Sequence, residues 1–273
     1  MSNLIIRSLA GAVFVSLIIG AIFWHPLAVF ALFFVFNALA LFEFSRMFAQ
    51  KGYPIQSASI IFMGSIIYII IGLFANGIVD AKVFLLIIPL IFVMFIASLY
   101  KISSKPFEEL GIKILSILYI SIPFGLFNII ENMGSIESGQ NEPLFLMAFF
   151  LIVWSSDTFA YLSGMTFGKH KLFERISPKK SWEGSIGGTI ITLIIAWVFG
   201  YYTQIFDPWT WVALALVTVV TAIYGDLIES QLKRSMGVKD SGSIMPGHGG
   251  ILDRFDAAIF SIPFYVFLLY LLA

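Results

Sequence analysis

The sequence contains no cysteine, only three histidines and few charged residues. Without cysteine it can form no disulfide, thiolate metal site or cysteine nucleophile, and three histidines are too few for a histidine-rich metal site. Charged residues make up 12% of the 273 positions, about half of the roughly 25% that is typical of a soluble domain. Lys and Arg (16) balance Asp and Glu (16), so no net positive charge favours a nucleic-acid partner. These shortages argue against a soluble or nucleic-acid-binding protein.

Long apolar runs take the place of charge, since 59% of the residues are hydrophobic. A helix needs about 20 mostly apolar residues to cross the hydrocarbon core of a bilayer. We predict an all-α, polytopic integral membrane protein with about nine transmembrane helices. The predicted spans lie near Ile5–Trp24, Leu27–Phe44, Ala58–Phe74, Val83–Tyr100, Leu110–Ile130, Leu144–Ser163, Ile186–Phe206, Trp209–Ser230 and Phe255–Leu272.

The basic residues predict the orientation of these spans. Fifteen of the sixteen Lys and Arg residues fall on one side of a nine-span arrangement, with Lys82 the exception. Because Lys and Arg are enriched in cytoplasmic loops, the N-terminus is predicted to be cytoplasmic. Arg7 precedes an apolar stretch, as in a signal peptide. However, that stretch is longer than a typical signal-peptide core and leads into a second span, so we expect an uncleaved helix.

Polar residues divide the chain into two predicted regions. Residues 1–143, with spans one to five, hold few polar side chains and are predicted to be a transmembrane scaffold. Residues 144–273, with spans six to nine and their cytoplasmic loops, are predicted to be the catalytic region. There is no internal repeat of the inverted kind that many transporters contain.

Span six carries an acidic residue in an apolar context. Asp157 shares one helix face with Ala160, Tyr161 and Gly164, at spacings of three, four and seven residues. An Asp near the middle of a span costs about 2.5–3.5 kcal/mol, and such residues usually face a polar cavity. A structural hydrogen bond between helices is the alternative, but a functional site is favoured.

The loop at 168–184 combines five basic residues with the string Ser177-Pro178-Lys179-Lys180-Ser181. Ordinary contact of basic residues with anionic lipid headgroups would explain the charge but not the ordered string. Paired lysines can neutralise phosphates, and the serine hydroxyls can donate hydrogen bonds to phosphate oxygens. The loop therefore predicts a polyphosphate ligand.

Spans eight and nine bring more acids to the cytoplasmic side. Asp226, Glu229, Ser230 and Lys233 share one face at the end of span eight, a stripe that a transporter could also use for ion coupling. A Gly-rich segment then leads to Asp253 and Asp256 at the start of span nine. Carboxylates without Cys or clustered His select Mg²⁺ or a similar ion.

The residues from 230 to 256 closely resemble the signature of the phosphatidate cytidylyltransferases, also called CDP-diacylglycerol synthases. Upstream, Asp157-Thr158-x-Ala160-Tyr161 and the string from Ser177 to Gly184 also look like features of that family. The signature positions present here are Ser230, Lys233, Arg234, Lys239, Asp240, Gly242, Pro246, His248, Gly249, Gly250, Asp253, Arg254 and Asp256.

The resemblance implies the conversion of CTP and phosphatidic acid to CDP-diacylglycerol and pyrophosphate by a multi-pass inner-membrane enzyme of phospholipid synthesis. It also implies Mg²⁺, with room for a second metal ion. The implied metal ligands are Asp226, Asp253 and Asp256, with Asp157 as a further candidate. Lys233 and His248 join the first three as implied catalytic residues. Substrate binding is expected from Ser177, Lys179, Lys180, Ser181, Ser230, Arg234, Lys239, Gly249, Gly250 and Arg254.

Other classes of membrane protein remain as alternatives at this point. A transporter or channel would use the intramembrane acids for coupling and would move a substrate across sealed liposomes. A CDP-alcohol phosphotransferase is expected to show an Asp-Gly-x-x-Ala-Arg motif, which this sequence lacks. A structural membrane protein would leave the order of Lys, Asp and Gly unexplained. A homodimer through small-residue faces at Gly187, Gly188 and Gly200 is a further option.

Overall fold

The structure is a computed structural model that describes residues 3–138, 143–245, 247 and 249–272. In these residues each of the nine predicted spans coincides with a helix. The fifth span is continuous through a π-helical segment, Ile117–Ser121, and a short 3₁₀ turn, Ala81–Leu86, precedes the fourth. The α-helices are α1 Asn3–Trp24, α2 Pro26–Gln50, α3 Ser57–Ala75, α4 Ile87–Leu99, α5 Pro106–Ser116, α6 Ile122–Ser138, α7 Leu144–Phe167, α8 Trp182–Thr203, α9 Pro208–Met236 and α10 Leu252–Leu272.

The helices have the length and composition of membrane spans. Eight are long and apolar enough to cross a bilayer, and the first contributes a shorter apolar stretch, Ser8–Trp24. Many large apolar side chains lie on the surface, among them Leu85, Phe92 and Phe267. Such a surface suits hydrocarbon rather than water. The prediction of an all-α, multi-pass membrane protein is confirmed, while the orientation of its N-terminus stays a prediction.

The chain forms two compact units, and neither is a continuous stretch of sequence. The first comprises Met1–Pro143 and Met236–Arg254, and the second comprises Leu144–Ser235 and Phe255–Ala273. The Gly-rich segment therefore packs with spans one to five. The functional division into a scaffold and a catalytic region stays a prediction.

Aromatic residues and one buried tyrosine organise the core of the first unit. The rings of Phe33 on α2 and Phe127 on α6 lie 4.8 Å apart, centroid to centroid. The Tyr68 hydroxyl on α3 donates to the Phe30 carbonyl over 2.7 Å and accepts from Asn128 Nδ2 over 3.0 Å. Because a buried hydroxyl without partners is costly, these two bonds fix α3 against α2 and α6.

Small residues bring α7 and α8 of the second unit close together. Gly184 and Gly188, four residues apart on α8, face Ala160 on α7; a Cβ atom at Gly188 would lie 2.8 Å from Ala160 Cα. This small-xxx-small pattern is typical of closely packed membrane helices. A Cβ at Gly187 would likewise crowd Ser163.

The same glycines bear on the expected homodimer. Gly187 and Gly188 face α7, and a Cβ at Gly200 would lie 2.9 Å from Pro208 Cα and close to the Trp211 ring. The three glycines on which that expectation rested therefore pack within the second unit. The homodimer stays a prediction that these residues do not support.

The close packing at Gly188 predicts that an alanine there lowers thermal stability, whereas an alanine at the uncrowded Gly111 does not. Gly188→Ala forces α7 and α8 apart, and overpacking of this kind costs about 1–3 kcal/mol. We expect a lower midpoint of thermal unfolding for the detergent-solubilised protein. Gly111→Ala on α5 is the matched control, because nothing lies within 4 Å of its added Cβ. Equal midpoints for the two variants would contradict the proposed packing.

Candidate active site

The basic loop after α7 forms an antiparallel hairpin, the one β structure with named strands in the described residues. Strand β1, Lys171–Phe173, pairs with β2, Ser177–Ser181. Glu183, in the first turn of α8, accepts hydrogen bonds from the backbone N–H groups of Lys169 and His170, each over 3.1 Å. Its other oxygen lies 2.6 Å from His170 Nδ1. Glu183 therefore ties the start of the hairpin to α8.

Ser181 joins the hairpin to the helix on its other side. Its hydroxyl accepts a hydrogen bond from Gly184 N over 3.2 Å, which makes it the N-cap of α8. The side chain is buried and lies against Gly164 and Gly168 of the neighbouring chain segment. The N-cap hydrogen bond and the contacts with the two glycines fix the backbone where β2 ends. Lys179 and Lys180, which directly precede Ser181, therefore lie on a well-defined strand.

A cavity of about 540 Å³ lies within the second unit. Elements α7, α8 and α9 and the hairpin line it, and its volume is in the range of small-molecule sites. Several predicted site residues meet at its wall, together with Lys171, which the sequence did not single out. The polar lining residues are Ser156, Asp157, Tyr161, Lys171, Lys179, Lys180, Ser181, Ser185, Thr189 and Asp226.

Asp226 on α9 receives a partner on each carboxylate oxygen. Lys180 from the hairpin forms an ion pair with Oδ2. Ser230, one turn later on α9, donates to Oδ1 over 3.2 Å. The structure therefore brings Asp226, Lys180 and Ser230 together, while the roles assigned to them from the sequence stay predictions.

Further acids surround Asp256 in the second unit. Asp256 lies on α10, where Gly225 lets α9 approach closely: a Cβ at Gly225 would be 2.8 Å from the Asp256 carbonyl oxygen. Asp226, Glu229 and Asp157 all repel Asp256 electrostatically. Gathered carboxylates are unfavourable unless protons or cations compensate them.

The gathered acids suit a magnesium ion in chemistry. Asp157, Asp226 and Asp256 supply carboxylate oxygens, the ligands that Mg²⁺ prefers. Lysines already compensate part of the charge, since Lys180 pairs with Asp226 and Lys233 with buried Glu229. In the residues that the structure describes, no three acidic or His side chains are arranged as a formed metal site. The carboxylate oxygens are chemically suited to Mg²⁺. In this structure lysines form ion pairs with two of the acids, Asp226 and Glu229.

An apolar groove adjoins the polar cavity. Its volume is about 360 Å³, and Ser185, Thr189 and Ile223 line both spaces. Its wall consists mainly of large apolar and aromatic side chains from the hairpin, α8 and α9. These are Leu172, Phe173, Trp182, Ile186, Ile190, Val220, Tyr224 and Leu227. The second unit therefore presents a charged space and an apolar space side by side.

Asp253 lies in the first unit, in the first turn of α10, directly after the Gly-rich segment. Its side chain is buried, and Oδ2 accepts from Ser241 N over 2.9 Å, Ser241 Oγ over 3.0 Å and Gly250 N over 2.7 Å. The carboxylate thus joins the two ends of the segment. Its role as a metal ligand stays a prediction, to which the structure adds this role in holding the loop.

Glu43 on α2 is a buried acid that the sequence pattern alone did not single out. This side chain is buried, and its two oxygens accept hydrogen bonds from Ile251 N over 3.0 Å and Leu252 N over 2.9 Å. Ser241 Oγ lies 3.1 Å from Glu43 Oε2. One signal was present, because an ionisable residue inside an apolar span usually marks a functional site.

The remaining predicted residues differ in their surroundings. Ser177 is half-buried on β2, whereas Arg234, Lys239 and Arg254 are exposed. Gly249 has a φ of +83°, a conformation that favours glycine, and its carbonyl accepts from Met245 N over 3.0 Å. Pro246 and His248 lie outside the described residues, and the predicted role of His248 remains a prediction.

A comparison with protein families decides where this chain belongs. The model described as "Cytidylyltransferase family" matches residues 5–272. The chain belongs to the cytidylyltransferase family. This membership accounts for the clustered signature residues and confirms the family resemblance found in the sequence.

Individual relatives carry the name phosphatidate cytidylyltransferase. The Bacillus subtilis protein is 42% identical over 166 residues, which are 60% of this chain and 59% of the relative. The Staphylococcus haemolyticus protein is 42% identical over 180 residues, 64% of this chain and 65% of the relative. The Haemophilus influenzae protein is 45% identical over 128 residues, which are 45% of this chain and 44% of the relative. Each match spans less than two thirds of the relative.

The anchoring of the hairpin by Glu183 can be tested by proteolysis. Glu183→Ala removes the acceptor of two backbone hydrogen bonds, so we expect faster trypsin cleavage at the lysines between 169 and 180. Glu174→Ala is the matched control, because that exposed glutamate lies in the turn of the same hairpin. Cleavage of the Glu183 variant at the control rate would contradict the anchoring role.

Proposed function

We propose that the protein is a phosphatidate cytidylyltransferase, which converts CTP and phosphatidic acid to CDP-diacylglycerol and pyrophosphate. The observation that carries this proposal is the polar cavity whose wall continues into an apolar groove. A substrate with an anionic headgroup and acyl chains requires both surfaces. The family and the names of the relatives support the same conclusion.

The proposed reaction needs charge neutralisation more than proton removal. A phosphate oxygen of phosphatidic acid attacks the α-phosphorus of CTP, the new P–O bond forms, and the bond to the β-phosphate breaks to release pyrophosphate. The nucleophile is already anionic near neutral pH, so no strong general base is required. The difficulty is the approach of two polyanions, and positioned positive charge lowers that barrier.

Basic residues of the second unit are suited to this task. Lys171, Lys179 and Lys180 line the cavity, and we assign them to the phosphates of the substrates. Ser181 and Ser177 add hydroxyl groups on the same strand. Lys233 and Arg234, at the end of α9, are assigned to phosphate binding as the family resemblance implies.

We assign Mg²⁺ to Asp226 and Asp256 of the second unit, with Asp157 as a further ligand. Asp253 keeps the metal role that the family resemblance implies. When bound, the ion would neutralise charge on the triphosphate and help to align it for in-line displacement. Ser230 holds Asp226 by its hydrogen bond to Oδ1. The Gly-rich segment, with Lys239, Gly249, Gly250 and Arg254, is assigned to CTP.

The lipid substrate is assigned to the apolar groove and the adjoining cavity. Its acyl chains would lie along Ile186, Ile190 and Val220, and its phosphate would reach the lysines through the shared wall at Ser185 and Thr189. We assign this site to the cytoplasmic side of the inner membrane, where CTP is available; the enrichment of Lys and Arg in the loops on that side supports the assignment.

One assay tests the proposed activity. Purified protein in mixed micelles with phosphatidic acid, α-labelled CTP and Mg²⁺ should form labelled CDP-diacylglycerol and release pyrophosphate. Asp226→Asn should lower kcat by at least about 100-fold, as expected for loss of a charged group that acts in the transition state. Asp207→Asn, at the exposed start of α9, should retain activity because Asn also caps helices. No product across a range of Mg²⁺ and detergent concentrations would refute the proposal.

A second prediction concerns the groove alone. Ile190→Trp places a larger side chain in the groove, so we expect a KM for phosphatidic acid raised by about tenfold, while the KM for CTP is unchanged. Ile194→Trp is the matched control: it is exposed, lies one turn further along α8 and does not line the groove. Equal KM values for the lipid in both variants would exclude the groove as the acyl site.

A further inference from the structure

Glu43 makes contacts that join distant parts of the sequence within the first unit. It lies on α2, about 200 positions before its partners, and is 2% exposed. Its oxygens accept from two consecutive backbone N–H groups, those of Ile251 and Leu252. Leu252 begins α10, so Glu43 satisfies N–H groups that the helix itself leaves without acceptors.

Two glycines of the Gly-rich segment pack closely against the Glu43 carboxylate. A Cβ at Gly242 would crowd Glu43, and a Cβ at Gly250 would collide with both Glu43 and Ser241. Gly242 and Gly250 both belong to the family signature found in the sequence. Their lack of a side chain is therefore explained by the close approach of Glu43, independently of any ligand.

Ser241 links Glu43 to the second buried acid of the segment. Its hydroxyl lies 3.1 Å from Glu43 Oε2 and 3.0 Å from Asp253 Oδ2, and its backbone N–H also donates to Asp253. Asp253 in turn accepts from Gly250 N. The two carboxylates thus hold both ends of the loop from Ser241 to Leu252. We call this group, Glu43, Ser241 and Asp253, the loop clip.

We propose that Glu43 is a positioning residue that fixes the Gly-rich segment in the shape that receives the nucleotide. This proposal rests on the proposed function, which assigns CTP to that segment. Glu43 acts through Ser241, Ile251 and Leu252 rather than on the substrate. A residue of the predicted scaffold therefore determines the affinity for CTP.

The experiment compares two buried glutamates of the same unit. Glu43→Gln retains the size of the side chain but keeps one acceptor oxygen where the carboxylate had two. We expect hydrogen exchange at the amides of Ile251 and Leu252 to rise by about tenfold or more, since protection reports local opening. The KM for CTP should rise by about tenfold, with the KM for phosphatidic acid unchanged.

Glu131→Gln is the matched control. Glu131 is also fully buried in the first unit, on α6, and neither of its oxygens has a hydrogen-bond partner among the described residues. For Glu131→Gln we expect the wild-type rate of hydrogen exchange at the amides of 241–252 and the wild-type KM for CTP. A general cost of replacing a buried glutamate would affect both variants alike.

A double-mutant cycle tests whether Glu43 and Ser241 of the loop clip act on the KM for CTP as one coupled unit. Ser241→Ala removes the hydroxyl between the two carboxylates but leaves the backbone bond to Asp253. Combined with Glu43→Gln it should raise the KM for CTP by less than the product of the two single effects, because both act on one contact network. Independent, multiplicative effects would overturn the clip as a unit.

Two results separate this proposal from the proposed function. If the wild-type protein makes no CDP-diacylglycerol, the proposed function fails, and the exchange measurement still tests whether Glu43 holds the loop. If the wild-type protein is active and Glu43→Gln leaves both the exchange rates and the KM for CTP unchanged, the role of Glu43 is refuted while the enzyme activity stands.

Discussion

An ionised carboxylate in an apolar environment needs N–H donors or positive charge as compensation, and this need organises the surroundings of four acids in the two units. In the first unit, backbone N–H groups meet it at Glu43 and Asp253. In the second unit lysines supply the compensating charge: Lys180 forms an ion pair with Asp226, and Lys233 forms one with Glu229. The cost of burying an unpaired charge is several kcal/mol. Each acid therefore fixes the chain segment that compensates it.

Close helix packing is the second condition for the site. Glycine and alanine allow α7 and α8 to approach at Ala160, Gly184 and Gly188, and Gly225 allows α9 to approach α10 beside Asp256. Membrane helices gain little from hydrophobic burial against each other, so van der Waals contact of close backbones contributes much of their association. The glycines thus place the acids of α9 and α10 near enough to one another for their like charges to repel.

Hydropathy and motif spacing predicted a large part of this protein. All nine apolar segments are helices, and Asp157, Lys179, Lys180 and Asp226 line one cavity, although their roles there stay predictions. The hairpin was expected only as a loop, because its strands are short and polar and carry no apolar alternation. No motif includes Glu43, because it stands alone in an apolar span, about 200 residues from the atoms that it binds.

The order of residues along the chain is enough to predict the class of protein, the helical spans and the chemical types of the site residues. These are local properties: the free energy of an apolar side chain in lipid depends on that side chain, and a signature of acids, lysines and glycines is read in order along the chain. Three features become visible in the packed fold alone: which donor pairs with each acid, the apolar groove beside the charged cavity, and the contact of Glu43 on α2 with the Gly-rich segment. Hydrogen bonds and cavities form between positions far apart in the sequence, so they depend on the packed fold.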